Sequence, residues 1–227
     1  VVSKGAVILR GLPDHAETQA WCADRNSMDL RIPRGSSRLI RSVVDNARVP
    51  VIETGAGICH VYVDETADLQ MAVNIVINAK CQRPSVCNAM ETLLIQKCTA
   101  ERFLSLLAPA LKEHGVQVFA DEYACSIIPS FEKGSEENWN TEYNDLIMNI
   151  VTVEGVREAV NHIENHGTHH SESIVSSDEN AVSYFMNNVD SACIYHNVST
   201  RFTDGFEFGL GAEIGISTQK MHARGPM

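Results

Sequence analysis

The sequence lacks any apolar run approaching the roughly 18 residues that cross a bilayer as a helix, and it shows no signal-peptide pattern. The expectation is a soluble, cytoplasmic protein with no membrane partner. Basic residues are scarce. Eighteen Lys and Arg stand against 29 Asp and Glu, and the resulting charge of −11 argues against nucleic acid or an anionic membrane, because phosphate backbones demand a basic surface. A small anionic substrate needs only a few local Arg or Lys and stays open. The seven cysteines (22, 59, 81, 87, 98, 125 and 193) are odd in number, scattered and without a CxxC pair, which fits a reducing cytosol. No Glu stands in an HExxH frame. The cluster His162, His166, His169 and His170 therefore reads as a polar helix end and turn, and no metal is expected. Gly209-x-Gly211 lacks the third glycine of a dinucleotide fingerprint, since position 214 is Ile. Ser171 lies in no GxSxG elbow. There is no internal repeat and no low-complexity segment.

What is present is an ordinary globular composition. The 227 residues are 44% apolar with mean hydropathy −0.10, enough for one large domain or two small ones. Strand candidates run over 6–9, 49–52, 58–63, 91–95, 116–120, 146–153, 173–176 and 192–197, with Leu30-Arg31 as a strand end. Helices are expected over 37–46, 100–114, 121–127, 155–165 and 178–187. Another carries Ala67, Met71, Ile75 and Ala79 at helical spacing, capped by Asp64 or Thr66. Residues 130–141 read as a polar loop, and Glu53-Thr-Gly55-Ala-Gly57 as a glycine-bearing turn. Strands alternating with helices of this length give an α/β fold with a mostly parallel sheet.

The stretch 78–95 organises the chain, with Cys87 at its centre in Pro84-Ser-Val-Cys-Asn-Ala89 between a long amphipathic segment and an apolar strand. A thiol at such a junction can be presented at a cleft. If Ser85 or Asn88 opens a helical turn, the exposed amides and the dipole lower its pKa. The alternative is a buried structural cysteine. Acyl-transfer or aldehyde chemistry also needs a carboxylate or histidine to manage protons and donors for an oxyanion. Glu53, at a strand end before Cys87, can return to the same cleft.

Several consecutive stretches together carry a family resemblance. They are Ile32-Pro-Arg-Gly35, Glu53-Thr-Gly-Ala-Gly-Ile-Cys-His-Val-Tyr-Val-Asp64, and Cys87 in QRPSVCNAMETLL. Further on come Ala159-Val-Asn-His162 through His170-Ser-Glu172-Ser-Ile174, and Asn197-Val-Ser-Thr-Arg201-Phe-Thr-Asp204-Gly running to Pro226. Nearly the whole chain from Leu30 onward resembles γ-glutamyl phosphate reductase, also called glutamate-5-semialdehyde dehydrogenase.

That resemblance implies an aldehyde-dehydrogenase-like α/β fold: a Rossmann-like cofactor domain, incomplete here, plus an α/β catalytic domain. On that analogy residues 1–79 are the C-terminal part of the NADP-binding domain and 80–205 the catalytic domain. Residues 206–227 form a segment returning to the cofactor domain or subunit interface. It implies NADPH as cofactor, γ-glutamyl phosphate as substrate, a homo-oligomer, and a glutamate kinase, separate or fused, as partner. Cys87 becomes the nucleophile, forming a thioester that hydride reduces to the semialdehyde in the second step of proline biosynthesis. Glu53, Arg10 and Phe208 fall at the cofactor, Glu53 lining its nicotinamide side rather than serving as an obligatory base. Arg201, Asn88 and His170 fall at the substrate, and Asn197 reads as structural. An arginine suits a carboxylate or a phosphate, since it donates two parallel hydrogen bonds. The family extends before Val1, supplying the first part of the nucleotide fold and an oxyanion-site Asn. Its interval between Arg10 and Ile32 is longer, and it has a tail beyond Met227. Two readings follow: an NADPH-dependent reductase, or a non-catalytic fragment or paralogue acting as an assembly module.

Overall fold

The computed structural model describes residues 11, 20, 24–26, 28–220 and 224–226. The expected strand over 6–9, with Arg10, lies outside them. The chain divides into two compact units, Val1–Thr54 and Gly55–Met227. Residues 69–81 form one continuous helix packed in the larger unit.

In the smaller unit, helix α1 (Ser37–Asn46) starts where predicted, because the Ser36 side chain accepts a hydrogen bond from the Leu39 amide. Leu30-Arg31 and 49–52 do not make full strands. They meet in a single parallel bridge, Arg31 to Val51, beside a small cluster of Val43, Val51, Leu39 and Ala47.

The larger unit is built on seven parallel strands: β1 (Cys59–Val63), β2 (Met90–Gln96), β3 (Gln117–Ala120), β4 (Glu132–Lys133), β5 (Ile147–Val153), β6 (Ser171–Val175) and β7 (Cys193–His196). Their order across the sheet is β4-β3-β5-β2-β1-β6-β7. Central parallel strands are covered on both faces and read as continuous apolar runs, as β1 and β2 do. The pleat sorts their side chains into two cores. Val61, Val63, Leu93 and Ile95 pack on one face with α2 (Leu69–Cys81), α3 (Lys97–Glu113) and α4 (Glu122–Ile127). Tyr62, Leu94 and Ile174 pack on the other with α6 (Val156–His166) and α7 (Glu179–Asn188). Each such fully buried side chain contributes about 1.5–3 kcal/mol.

Three local expectations are corrected. Asp68, not Asp64 or Thr66, caps α2 by accepting from the Met71 amide at 2.9 Å. Asp64 is occupied elsewhere: its Oδ1 accepts from Thr66 and from the Ser176 hydroxyl. The polar loop 130–141 contains the edge strand β4 and a one-turn helix, α5 (Glu136–Trp139), closed by a Ser135–Asn138 capping box. Third, residues 84–89 form turns and no helix. A short 3₁₀ turn (Thr200–Phe202) and an antiparallel pair, β8 (Ile216–Ser217) with β9 (Gly225–Pro226), follow β7.

Candidate active site

The Cys87 turn enters β2, so the thiol stands at the amino edge of the sheet, beside the starts of β1 and β6. Open α/β sheets usually bind ligands beyond the carboxyl ends of their strands. Here the polar residues gather at the opposite edge: His60, Glu91, Thr92, Asn149, His170, Ser171 and Glu172 are all buried there.

Close approach of two backbones fixes the Cys87 turn. A Cβ on Gly57 would lie 1.6 Å from the Cys87 carbonyl oxygen, so only glycine fits. The Gly57 amide donates to Glu142 Oε1 at 2.8 Å, and the Ile58 amide to Thr168 Oγ1 at 2.9 Å. Cys59 lies beneath, its thiol donating to the Cys87 carbonyl at 3.2 Å. Asn88 is pinned from both ends of its amide: Nδ2 donates to the Thr203 carbonyl at 2.7 Å, and Oδ1 accepts from Arg201 Nη1. Arg201 Nε also donates to Gln82 Oε1 at 3.2 Å, so one guanidinium straps the two ends of the 82–88 loop together.

The electrostatics overturn the expected low thiol pKa. Burial, then the Glu142 and Glu213 carboxylates, push Cys87 up to about 11, with Arg201 opposing. With no helix at 84–89, no helix dipole acts on it. Cys59 is buried completely and its thiol is also pushed up, first by desolvation and then by Glu172.

His170 is fully buried behind this layer, with Nδ1 2.8 Å from Ser171 Oγ and 3.6 Å from Cys59 Sγ. Burial lowers it to about 4, so it is a neutral support and does not reach an accessible face. Ser171 Oγ continues to Thr203 Oγ1 at 2.7 Å, which meets the Tyr195 hydroxyl at 2.8 Å. Phe208 lies 46% exposed on a glycine-bearing loop, its ring 5.6 Å from that of Phe202. Glu53 belongs to the smaller unit and Arg10 lies outside the described residues. Asn197 adopts φ 57° and accepts from the Ser176 amide at 3.1 Å, a structural use.

Sequence reasoning missed the carboxylates Glu142 and Glu213 and two buried pairs. Lys80 Nζ meets Glu91 Oε2 at 2.7 Å with both side chains buried. Glu172 Oε2 accepts from the His60 amide at 2.6 Å and lies 3.1 Å from His60 Nδ1. His162 and His166 do share a helix, their ring centroids 4.4 Å apart, with His60 at 5.6 Å from His162. For the pairs no local signal exists, since each joins different elements. Gly57 had one, its Gly-x-Gly turn.

A parallel sheet with helices on both faces and a cysteine turn at its amino edge is the aldehyde-dehydrogenase-like fold. The structure matches an acetylating aldehyde dehydrogenase from Geobacillus thermoglucosidasius with a TM-score of 0.71, over 93% of this chain and 56% of that one, at 18% identity. Within that fold the sequence is similar to γ-glutamyl phosphate reductase. It is 58% identical over 200 residues to the reductase of Limosilactobacillus reuteri, 88% of this chain and 48% of that protein. The solved reductase of Thermotoga maritima matches at 48% identity with a TM-score of 0.92, covering 94% of this chain and 52% of that one. No family model matches the chain. The chain spans about half the length of the curated relatives it matches.

Proposed function

We propose that this chain carries the thiol half of a γ-glutamyl phosphate reductase, which reduces γ-glutamyl phosphate to glutamate 5-semialdehyde and phosphate. The observation that carries the reading is the Cys87 turn. The nucleophile stands on a loop locked by Gly57 below and by Asn88 and Arg201 at its side, in a stretch similar to those reductases. Locked geometry is what acyl transfer needs, because misplacement by about 1 Å can cost two orders of magnitude.

In this reading Cys87 Sγ attacks the acyl carbon and phosphate departs, leaving a thioester on Cys87. A nicotinamide nucleotide, which one solved neighbour of this fold holds as NADP+, supplies the hydride when bound. Among the described residues of the larger unit, Phe208 fits such a ring, being a half-exposed aromatic face on a glycine-bearing loop. Glu53 and Arg10 are further cofactor positions that the resemblance supplies. The acyl phosphate requires a glutamate kinase, separate or fused, to make it, and we assign the protein to the cytoplasm as a homo-oligomer. Free cysteines among the described residues suit a reducing compartment, and none of the described helices is long and apolar enough to cross a membrane.

One observation favours the other reading, an assembly module without catalysis: a thiol held at about 11 is almost wholly protonated at neutral pH. Phosphate-dependent reduction of NADP+ by glutamate 5-semialdehyde decides between them. The expected result is activity in the full protein and none in Cys87→Ser. Activity that survives Cys87→Ser refutes the proposal, as does its absence from the wild-type protein.

A further inference from the structure

Arg201 is half-buried and its charge is held by neutral partners. Its two hydrogen-bond acceptors are the amide oxygens of Gln82 and Asn88, and no carboxylate forms an ion pair with it among the described residues. Asp204 and Glu213 attract it from beyond ion-pair range. Nε and one Nη1 proton are committed, so the Nη2 end has no protein acceptor among the described residues. Beside it lies Arg83, exposed and likewise without an ion pair among them, close enough that the two cations repel. A buried cation costs free energy unless something neutralises it. Here the loop brings a second cation, four residues before Cys87, toward the first.

Resting on the reductase reading, we propose that Arg83 and Arg201 together form the seat of the departing phosphate group. The choice of phosphate over the substrate's α-carboxylate follows from connectivity. The phosphoryl group is joined to the reacting acyl carbon through one oxygen, while the carboxylate lies three further carbons away. Arg201 is bonded to Asn88, the residue next to Cys87, so it serves the nearer group. A dianion also suits two guanidiniums, whose planar forks donate paired hydrogen bonds to phosphate oxygens.

The step balances without an added base. The sulfur–carbon bond forms, the carbon–oxygen bond to phosphorus breaks, and its electron pair leaves on the phosphate oxygen. That oxygen takes the proton from the thiol, giving a thioester and hydrogen phosphate. An anion seat beside a protonated Cys87 places proton and acceptor together.

The test uses inorganic phosphate as probe and reads alkylation of Cys87 by iodoacetamide through its peptide mass, in the full protein. Phosphate is expected to slow Cys87 alkylation relative to chloride at equal ionic strength. Arg83→Gln is expected to raise the phosphate concentration for half-protection about tenfold or more, the scale of a charged hydrogen bond, and Arg201→Lys likewise. Arg83 is exposed, so its variant folds even if Arg201 variants do not. No protection in the wild type, or undiminished protection in Arg83→Gln, overturns the assignment. Protection that persists when reductase activity is absent leaves the seat standing and refutes only the reductase reading. Activity dependent on Cys87 with an unchanged phosphate KM in Arg83→Gln refutes the seat alone.

Discussion

Replacing Gly57 with alanine tests whether backbone contact positions Cys87. The added Cβ would sit 1.6 Å from the Cys87 carbonyl oxygen, 2.4 Å from its carbonyl carbon and 2.6 Å from its Cα. Cβ atoms essentially never approach other atoms closer than 3.0 Å, so the two backbones must separate by at least about 1.4 Å. None of the three atoms belongs to a side chain that could swing away. Overpacking of this kind costs about 1–3 kcal/mol. For a chain of this size each kcal/mol lowers Tm by roughly 2–4 °C, giving a fall of about 2–12 °C. If the reductase reading holds, turnover drops about a hundredfold, because the thiol is displaced by more than 1 Å. Gly55→Ala is the control, since its Cβ meets only Thr218 Oγ1 at 3.2 Å, a side-chain end able to yield. It is expected to cost less than about 1 kcal/mol. The assays are thermal melting by circular dichroism and Cys87 alkylation by peptide mass. A Gly57→Ala protein that melts within a degree of wild type and alkylates at the same rate would refute the reasoning.

Two further outcomes follow from the charges. Glu142→Gln keeps an acceptor for the Gly57 amide while removing a carboxylate that raises the thiol, so the pH–rate midpoint of Cys87 alkylation, about 11 in the wild type, moves down. The gain in rate at pH 8 is about 3–10-fold, and an unmoved midpoint means Glu142 exerts no field on the thiol. Lys80→Met leaves Glu91 buried without its cation and costs about 3–5 kcal/mol at pH 8. Burial raises Glu91 from 4.5 to about 7 even with Lys80 opposing. Its protonation therefore favours the folded state, a contribution complete below pH 4.5 and lost as pH rises through about 7. The deficit of Lys80→Met should shrink on going from pH 8 to pH 5.5, measured by urea unfolding. A deficit that grows on acidification contradicts this sign.

The strands and long helices of the larger unit were legible because their signals are local. Val61-Tyr-Val63 and Leu93-Leu-Ile95 announce buried strands by residue type alone, and α3 shows its apolar face at Phe103, Leu107 and Leu111. Cys87 was legible from its position between elements and from the wording around it. Its electrostatics were not, because Glu142 and Glu213 arrive from distant segments and no helix forms at 84–89. The cap of α2 was misplaced because Asp64, Thr66 and Asp68 all carry suitable oxygens, and Ser176 decides by engaging the first two. The burial of His170 against Cys59 is a fact of the β1–β6 neighbourhood that no stretch of sequence displays. Lys80 and Glu91 look like ordinary surface charges until α2 is laid on β2.

The position of β1 between β2 and β6 sets an order of events during synthesis. His60 faces Thr92 on one side and Glu172 on the other, and the second partner is made 112 residues later. At about 5–20 residues per second that is an interval of roughly 6–22 s. A chain halted before Ser171 has both Cys59 and Cys87 yet lacks the strand that buries the first. Ribosome-bound chains of increasing length should therefore lose Cys59 reactivity abruptly once β6 has emerged, so that the layer beneath the Cys87 turn closes only when that strand is in place.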